Sequence, residues 1–176
     1  MDQLKWWAEN LESNLSQGDI VSAFPIGTLT HPVKYLKKGT FPKGQTGWLE
    51  LNDPHLGGNS RTHYLAQGKI LHGLVVSHSC DIDKNKSCVL IAPLGKLDNL
   101  PEAHRQTVLS QTNIALLGMP NIPDFGDGYA DLRNITVVPT DVIKSLNRSA
   151  SMSKNALDLL QARLVTFFTR LELPKL

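Results

Sequence analysis

Residues 69–94 read KILHGLVVSHSC, DIDKNKS and CVLIAPL in succession, and this stretch decides the fold. The first run, Lys69 to Cys80, is rich in aliphatic and β-branched residues and is short enough to be a strand. Asp81 to Lys86 is a polar turn, and Cys88 to Leu94 is a second apolar run. Two such runs across a short polar turn predict an antiparallel hairpin. Strand alternation then sets Leu74, Val76, His78 and Cys80 on one face and Val75, Ser77 and Ser79 on the other.

Toward the N-terminus, residues 25–68 form a long irregular loop with Pro25, Pro32, Pro42 and Pro54 and many glycines. Asp19 to Phe24 is a short strand before it. Leu4, Trp7, Leu11 and Leu15 recur at three- and four-residue steps, which predicts a helix over 3–16 ended by Gly18. Toward the C-terminus, Pro101 opens a short helix to about Ser110. Asn113 to Leu117 is a strand, 118–128 a loop, and Tyr129 to Val138 an interrupted or bulged strand. Thr140 caps a short helix, and Ser153 caps a last one over about 154–171. In that last helix Ala156, Leu159, Leu160, Leu164, Phe167, Phe168 and Leu171 make an apolar stripe. Uneven strands with helices at both ends make this an α+β chain and not a βαβ repeat.

The chain has 176 residues, which predicts one domain, and a net charge of +2. So small a charge excess does not itself indicate nucleic acid; clustering matters, and Lys34, Lys37, Lys38 and Lys43 form one cluster. No apolar run is long enough for a membrane span. Asp2, Glu9 and Glu12 are wrong for an export signal. Two cysteines without such a signal predict reduced thiols in the cytosol.

His78 and Cys80, two apart on one strand face, suit a thiolate–imidazolium nucleophile with Asp81 to orient a histidine. The alternative is a small core cysteine, a strand-end histidine and a turn aspartate. The spacing of His78, Cys80 and Cys88 fits no zinc pattern, so neither metal nor cofactor is expected. Asp81, Asp83 and Asn85 begin like a calcium loop, but Lys86 and Ala92 stand where Gly and Glu are needed. Asp124-Phe125-Gly126 copies a kinase triplet without the accompanying motifs and is chance. Arg133 either binds phosphate or pairs with Asp131, and Arg148 has the same two options. Trp6 and Trp7, being adjacent, are not expected to face one core; either one marks a partner surface or the long loop covers both in part.

Gly18-Asp19-Ile20-Val21, Gly73 to Ser77 and Val89 to Leu94 resemble, in that order, strands of the MazF/PemK-like toxins. Tyr129 to Arg133 and the closing helix stand where that family has a later strand and its last helix. The run Val75-Val76-Ser77-x-x-Cys80-Asp81-Ile82 also resembles a bacterial group near that family. The resemblance implies an SH3-like barrel, often a homodimer, that cleaves single-stranded RNA as a metal-independent endoribonuclease. The family's chemistry uses an arginine before the central strand and a hydroxyl after the next. Here those positions read Ile70-Leu71-His72 and Gly95-Lys96, so His72 and Lys96 are the substitutes, with His78 a further acid/base candidate. Arg133, Arg148 and the loop lysines would hold phosphates. Two other readings stay open: a non-catalytic module binding a cognate protein partner in a toxin–antitoxin or defence system, and a Cys80-dependent enzyme.

Overall fold

The computed structural model describes residues 4–28, 34–36, 63–65, 67–84 and 87–170. The chain forms two compact units, residues 1–24 with 71–176, and residues 25–70. Among the described residues there are nine strands and four α-helices. They run β1 (Asp19–Thr28), β2 (Lys34–Leu36), β3 (His63–Leu65), β4 (Gln67–Val75), α1 (Ser79–Asp83), β5 (Cys88–Lys96), α2 (Glu102–Leu109), β6 (Leu116–Ile122), β7 (Gly126–Asp131), β8 (Thr136–Pro139), α3 (Thr140–Lys144), β9 (Arg148–Ser151) and α4 (Lys154–Thr169). The fold is mixed α+β. No helix among them is long and apolar enough to cross a membrane.

Seven strands form one antiparallel sheet in the order β6-β7-β5-β4-β1-β9, with β8 also on β5. Among the described residues no pairing joins β9 back to β6, so the sheet is open. In the smaller unit β2 pairs with β3, Tyr35 opposite Tyr64. Most of the expected 25–68 loop lies outside the described residues.

The β4–β5 hairpin forms as the apolar pattern requires, with Gly73 opposite Pro93 and Val75 opposite Ile91. The first strand, however, stops at Val75 rather than Cys80. Ser77 Oγ accepts the Leu90 N–H at 2.8 Å, replacing a ladder bond with a side-chain bond. His78 then caps the single turn α1, its Nδ1 accepting the Cys80 N–H at 3.2 Å. The cross-strand bond of Ser77 and the local cap of His78 together end a strand that aliphatic periodicity alone would continue.

Residues 4–18 contain no helix. This segment is strung along β9 instead: Trp7 bridges Met152, Ala8 N–H donates to Ser151 O at 2.9 Å, and Ser153 N–H to Trp6 O at 2.8 Å. Asn10, Ser13, Asn14 and Ser16 are poor helix formers, so pairing with the sheet outweighs a weak local preference. Both tryptophans end half-buried against the same core, contrary to the expectation from their adjacency.

The closing helix α4 forms as its sequence pattern requires, although Phe168 of the expected stripe is 65% exposed. Ser153 Oγ accepts the Ala156 N–H at 3.3 Å as N-cap, and Arg170 ends the helix in the left-handed region at φ 58°. Ala156 and Leu160 are fully buried against Leu74, Ala92, Leu94, Leu117 and Ala130 on one sheet face. The stretch read as a loop at 118–128 is mostly hairpin, β6 turning into β7, with Gly118 opposite Tyr129 and Ile122 opposite Gly126. The expected strand over 129–138 is interrupted, by a 3-10 turn at Leu132–Asn134 that separates β7 from β8.

Candidate functional site

The β4–β5 and β5–β7 registers set Leu74 opposite Ala92, Leu94 opposite Ala130 and Lys96 opposite Gly128. Alternation carries His72 and Lys96 onto the same face as the buried Leu74, Ala92 and Leu94. They stand where that face runs out to solvent: His72 is half-buried and Lys96 exposed. Between them lies Phe125, from the β6–β7 turn. The His72 and Phe125 rings are 5.0 Å apart, tilted by 58°, and Lys96 Nζ is 5.8 Å from the Phe125 ring centre. Two residues singled out from separate strands thus converge on one aromatic ring.

Local structure explains why the ring sits there. The turn is closed by the Phe125 N–H donating to Ile122 O at 3.0 Å. Gly128 leaves the space that the ring fills, since a Cβ there would lie 2.8 Å from Phe125 Cε1 and 2.9 Å from Ile122 Cδ1. Phe125 also packs on the main core, so its position is fixed from below. A cation at this distance from a ring contributes about 0.5–1 kcal/mol where, as at Lys96, the cation itself stays exposed. The trio brings an aromatic face, an ammonium and an imidazole together at the margin of one sheet face.

Arg133 lies elsewhere. Tyr129 crosses Gly95 on the opposite face of the sheet, and Asp131 shares that side of β7. Arg133 is bound to Asp131 through Nε at 2.9 Å and Nη2 at 2.7 Å, the pairing alternative of the sequence, and its outer edge stays exposed. Burial would raise the Asp131 carboxyl, but the bonds from the Arg133 side chain and backbone and from Asn134, with the arginine's charge, hold it below the ordinary range. A depressed carboxyl stabilises the fold above its unfolded pKa, about 4, and that contribution is lost as pH falls through the lower folded value. Asp131→Asn is therefore expected to lower stability at pH 7 while flattening its loss in acid. Urea midpoints between pH 2 and 7 check this; parallel wild-type and variant curves would refute it.

Arg148 is engaged in holding the N-terminal segment. Its guanidinium donates to the carbonyls of Glu12 at 2.6 Å, Ser13 at 3.2 Å and Asn14 at 2.7 Å, and to Asp19 Oδ2 at 2.9 Å. A bulge between Ile20 and Val21 sets Arg148 opposite Val21, next to Asp19 on the neighbouring strand.

The end of β4 before α1 separates His78, Cys80 and Asp81 from this trio. Val75 alone is about 10 Å along the strand from His72. His78 faces the backbone of Cys80 through Nδ1, and the shared strand face expected for the two does not form. Asp81 lies in the first turn of α1. Cys80 and Cys88 are both exposed free thiols. Among the described residues no three His, Cys, Asp or Glu side chains are placed to hold a metal. Lys37, Lys38 and Lys43 lie outside the described residues, and of Lys34 only the backbone is described.

Asp124-Phe125-Gly126 by itself marks no role for Phe125 in the sequence. The signal was present: Pro123-Asp124-Phe125-Gly126-Asp127-Gly128 is turn chemistry between two apolar runs. No protein-family model matches the chain, and no curated protein does.

Proposed function

We propose that the chain binds single-stranded RNA across the His72–Phe125–Lys96 face and cleaves it without metal. The observation that carries this reading is the convergence of His72 and Lys96 on the Phe125 ring. These are the positions where the toxin resemblance needs catalytic groups and lacks its usual ones. One base stacks on Phe125 while Lys96 faces the adjoining phosphate. His72 removes the proton from a ribose 2′-hydroxyl, and the oxygen attacks phosphorus. The bond to the 5′-oxygen breaks, and that oxygen takes a proton from the imidazolium or water, leaving a 2′,3′-cyclic phosphate. The same reading takes the seven-stranded sheet as a diverged SH3-like barrel acting in the cytosol, alone or as a homodimer.

Binding is measured by anisotropy of a labelled RNA single strand over a salt series. Lys96→Gln is expected to reduce the salt slope by about 0.7, the share of one phosphate contact. Phe125→Leu is expected to cost about 1–3 kcal/mol of affinity with the slope unchanged. No binding, or binding indifferent to both changes, would remove the reading.

A second reading, a non-catalytic module for a cognate protein, is favoured by Leu90 and Val137. They sit opposite each other across β5 and β8, 39% and 61% exposed. An intact RNA pool beside a stable complex that Leu90→Asp dissolves would decide for it.

A further inference from the structure

The turn that presents Phe125 is conformationally demanding. Asn121 (φ 48°), Asp124 (φ 60°) and Gly126 (φ 86°) all lie in the left-handed region, which Asn and Asp tolerate better than other non-glycine residues but still at some cost. A turn of this kind keeps one shape only if its surroundings hold it. Two side chains do so. Asp127 Oδ1 accepts the Asn121 N–H at 2.8 Å, closing the hairpin from the β7 side. Trp7 Nε1–H donates to Pro120 O at 3.0 Å, tying the end of β6 to the N-terminal segment. Both bonds act on the backbone of the hairpin.

We propose that Asp127 and Trp7 are positioning residues: they lock the Pro120–Asp127 hairpin so that Phe125 is already a fixed shelf for one unpaired base before RNA arrives. This rests on the RNA reading for its purpose, but the positioning itself is a property of the unbound protein. Preorganisation of this kind spares binding the cost of ordering a loop.

The experiment uses the full chain and two readouts. The first is the NMR cross-relaxation between Phe125 and His72 ring protons without RNA, which their close approach makes observable. The second is quenching of 2-aminopurine in an RNA single strand as that base stacks. Asp127→Ala is expected to abolish the ring–ring signal and weaken binding about two- to tenfold, as for loss of one hydrogen bond. Asp127→Asn keeps an acceptor oxygen in place and is expected to retain both, a rescue that a general loss of charge would not give. Trp7→Phe, which keeps an aromatic ring but loses the N–H, is expected to move in the direction of Asp127→Ala. An unchanged ring signal in Asp127→Ala, or equal damage from Asp127→Asn, overturns the proposal. If Phe125→Leu binds RNA as wild type does, the RNA reading fails, and the ring–ring signal still decides whether Asp127 positions Phe125.

Discussion

Arg148→Ala is expected to destabilise the protein by roughly 3–5 kcal/mol, the range for removing one partner of a buried ion pair. The arginine side chain is 18% exposed and its partner Asp19 only 1%. Truncation leaves the Asp19 carboxylate buried, with the Ser16 N–H at 2.9 Å as its remaining hydrogen bond to the N-terminal segment. It also strips a donor from the carbonyls of Glu12, Ser13 and Asn14. Arg148→Lys is expected to recover part of the loss, since one ammonium cannot span three carbonyls and a carboxylate as a planar fork does. Urea unfolding at pH 7 measures both. A change below about 1 kcal/mol, the scale of a surface pair, would show that the clamp contributes little. The result bears on function too. If Arg148 served phosphate instead, its loss would lower RNA affinity at unchanged stability.

His72→Gln is expected to slow RNA cleavage by about 10²–10⁴-fold, the usual contribution of one positioned acid or base. Glutamine keeps much of the bulk that meets Phe125 but exchanges no proton near neutral pH. Single-turnover cleavage of total RNA, with and without chelator, is the measurement, beside urea unfolding of both proteins. A catalytic His72 gives a slow variant at wild-type stability. A variant that loses stability and rate together shows a structural His72. RNA left intact by the wild type under every condition would remove the enzyme and leave the binding module. His78→Gln, on the cap of α1, is expected to leave cleavage within about twofold, because the end of β4 separates it from the trio.

Much of the fold was legible because local preference and tertiary packing agree there. The apolar runs Gly73–Val75 and Ile91–Leu94 are buried on both faces and pair as their composition demands. Ser153 and the stripe through Ala156, Leu160, Leu164 and Phe167 gave α4 for the same reason. Where the two disagree, the reading failed. Leu4, Trp7, Leu11 and Leu15 have helical spacing, yet β9 offers those residues a ladder and Arg148 takes the carbonyls of 12–14. Leu11 remains 44% exposed, so its place in the period reflected no buried face.

The candidate site divides in the same way. His72 and Lys96 were named from what the toxin resemblance implies at their positions, and Arg133 with Asp131 from their spacing. Pairing of His78 with Cys80 assumed a strand that Ser77 and His78 end through their own hydrogen bonds. Composition and periodicity by themselves determined an α+β chain with a central antiparallel hairpin and a capped closing helix, because those signals are carried by residues near one another in sequence. Only the tertiary structure decided that Phe125 joins His72 and Lys96, that Arg133 stands on the other face, and that Arg148 clamps the N-terminal segment. Those facts depend on strand register, a glycine cradle and a bulge, which bring together residues up to 136 positions apart along the chain.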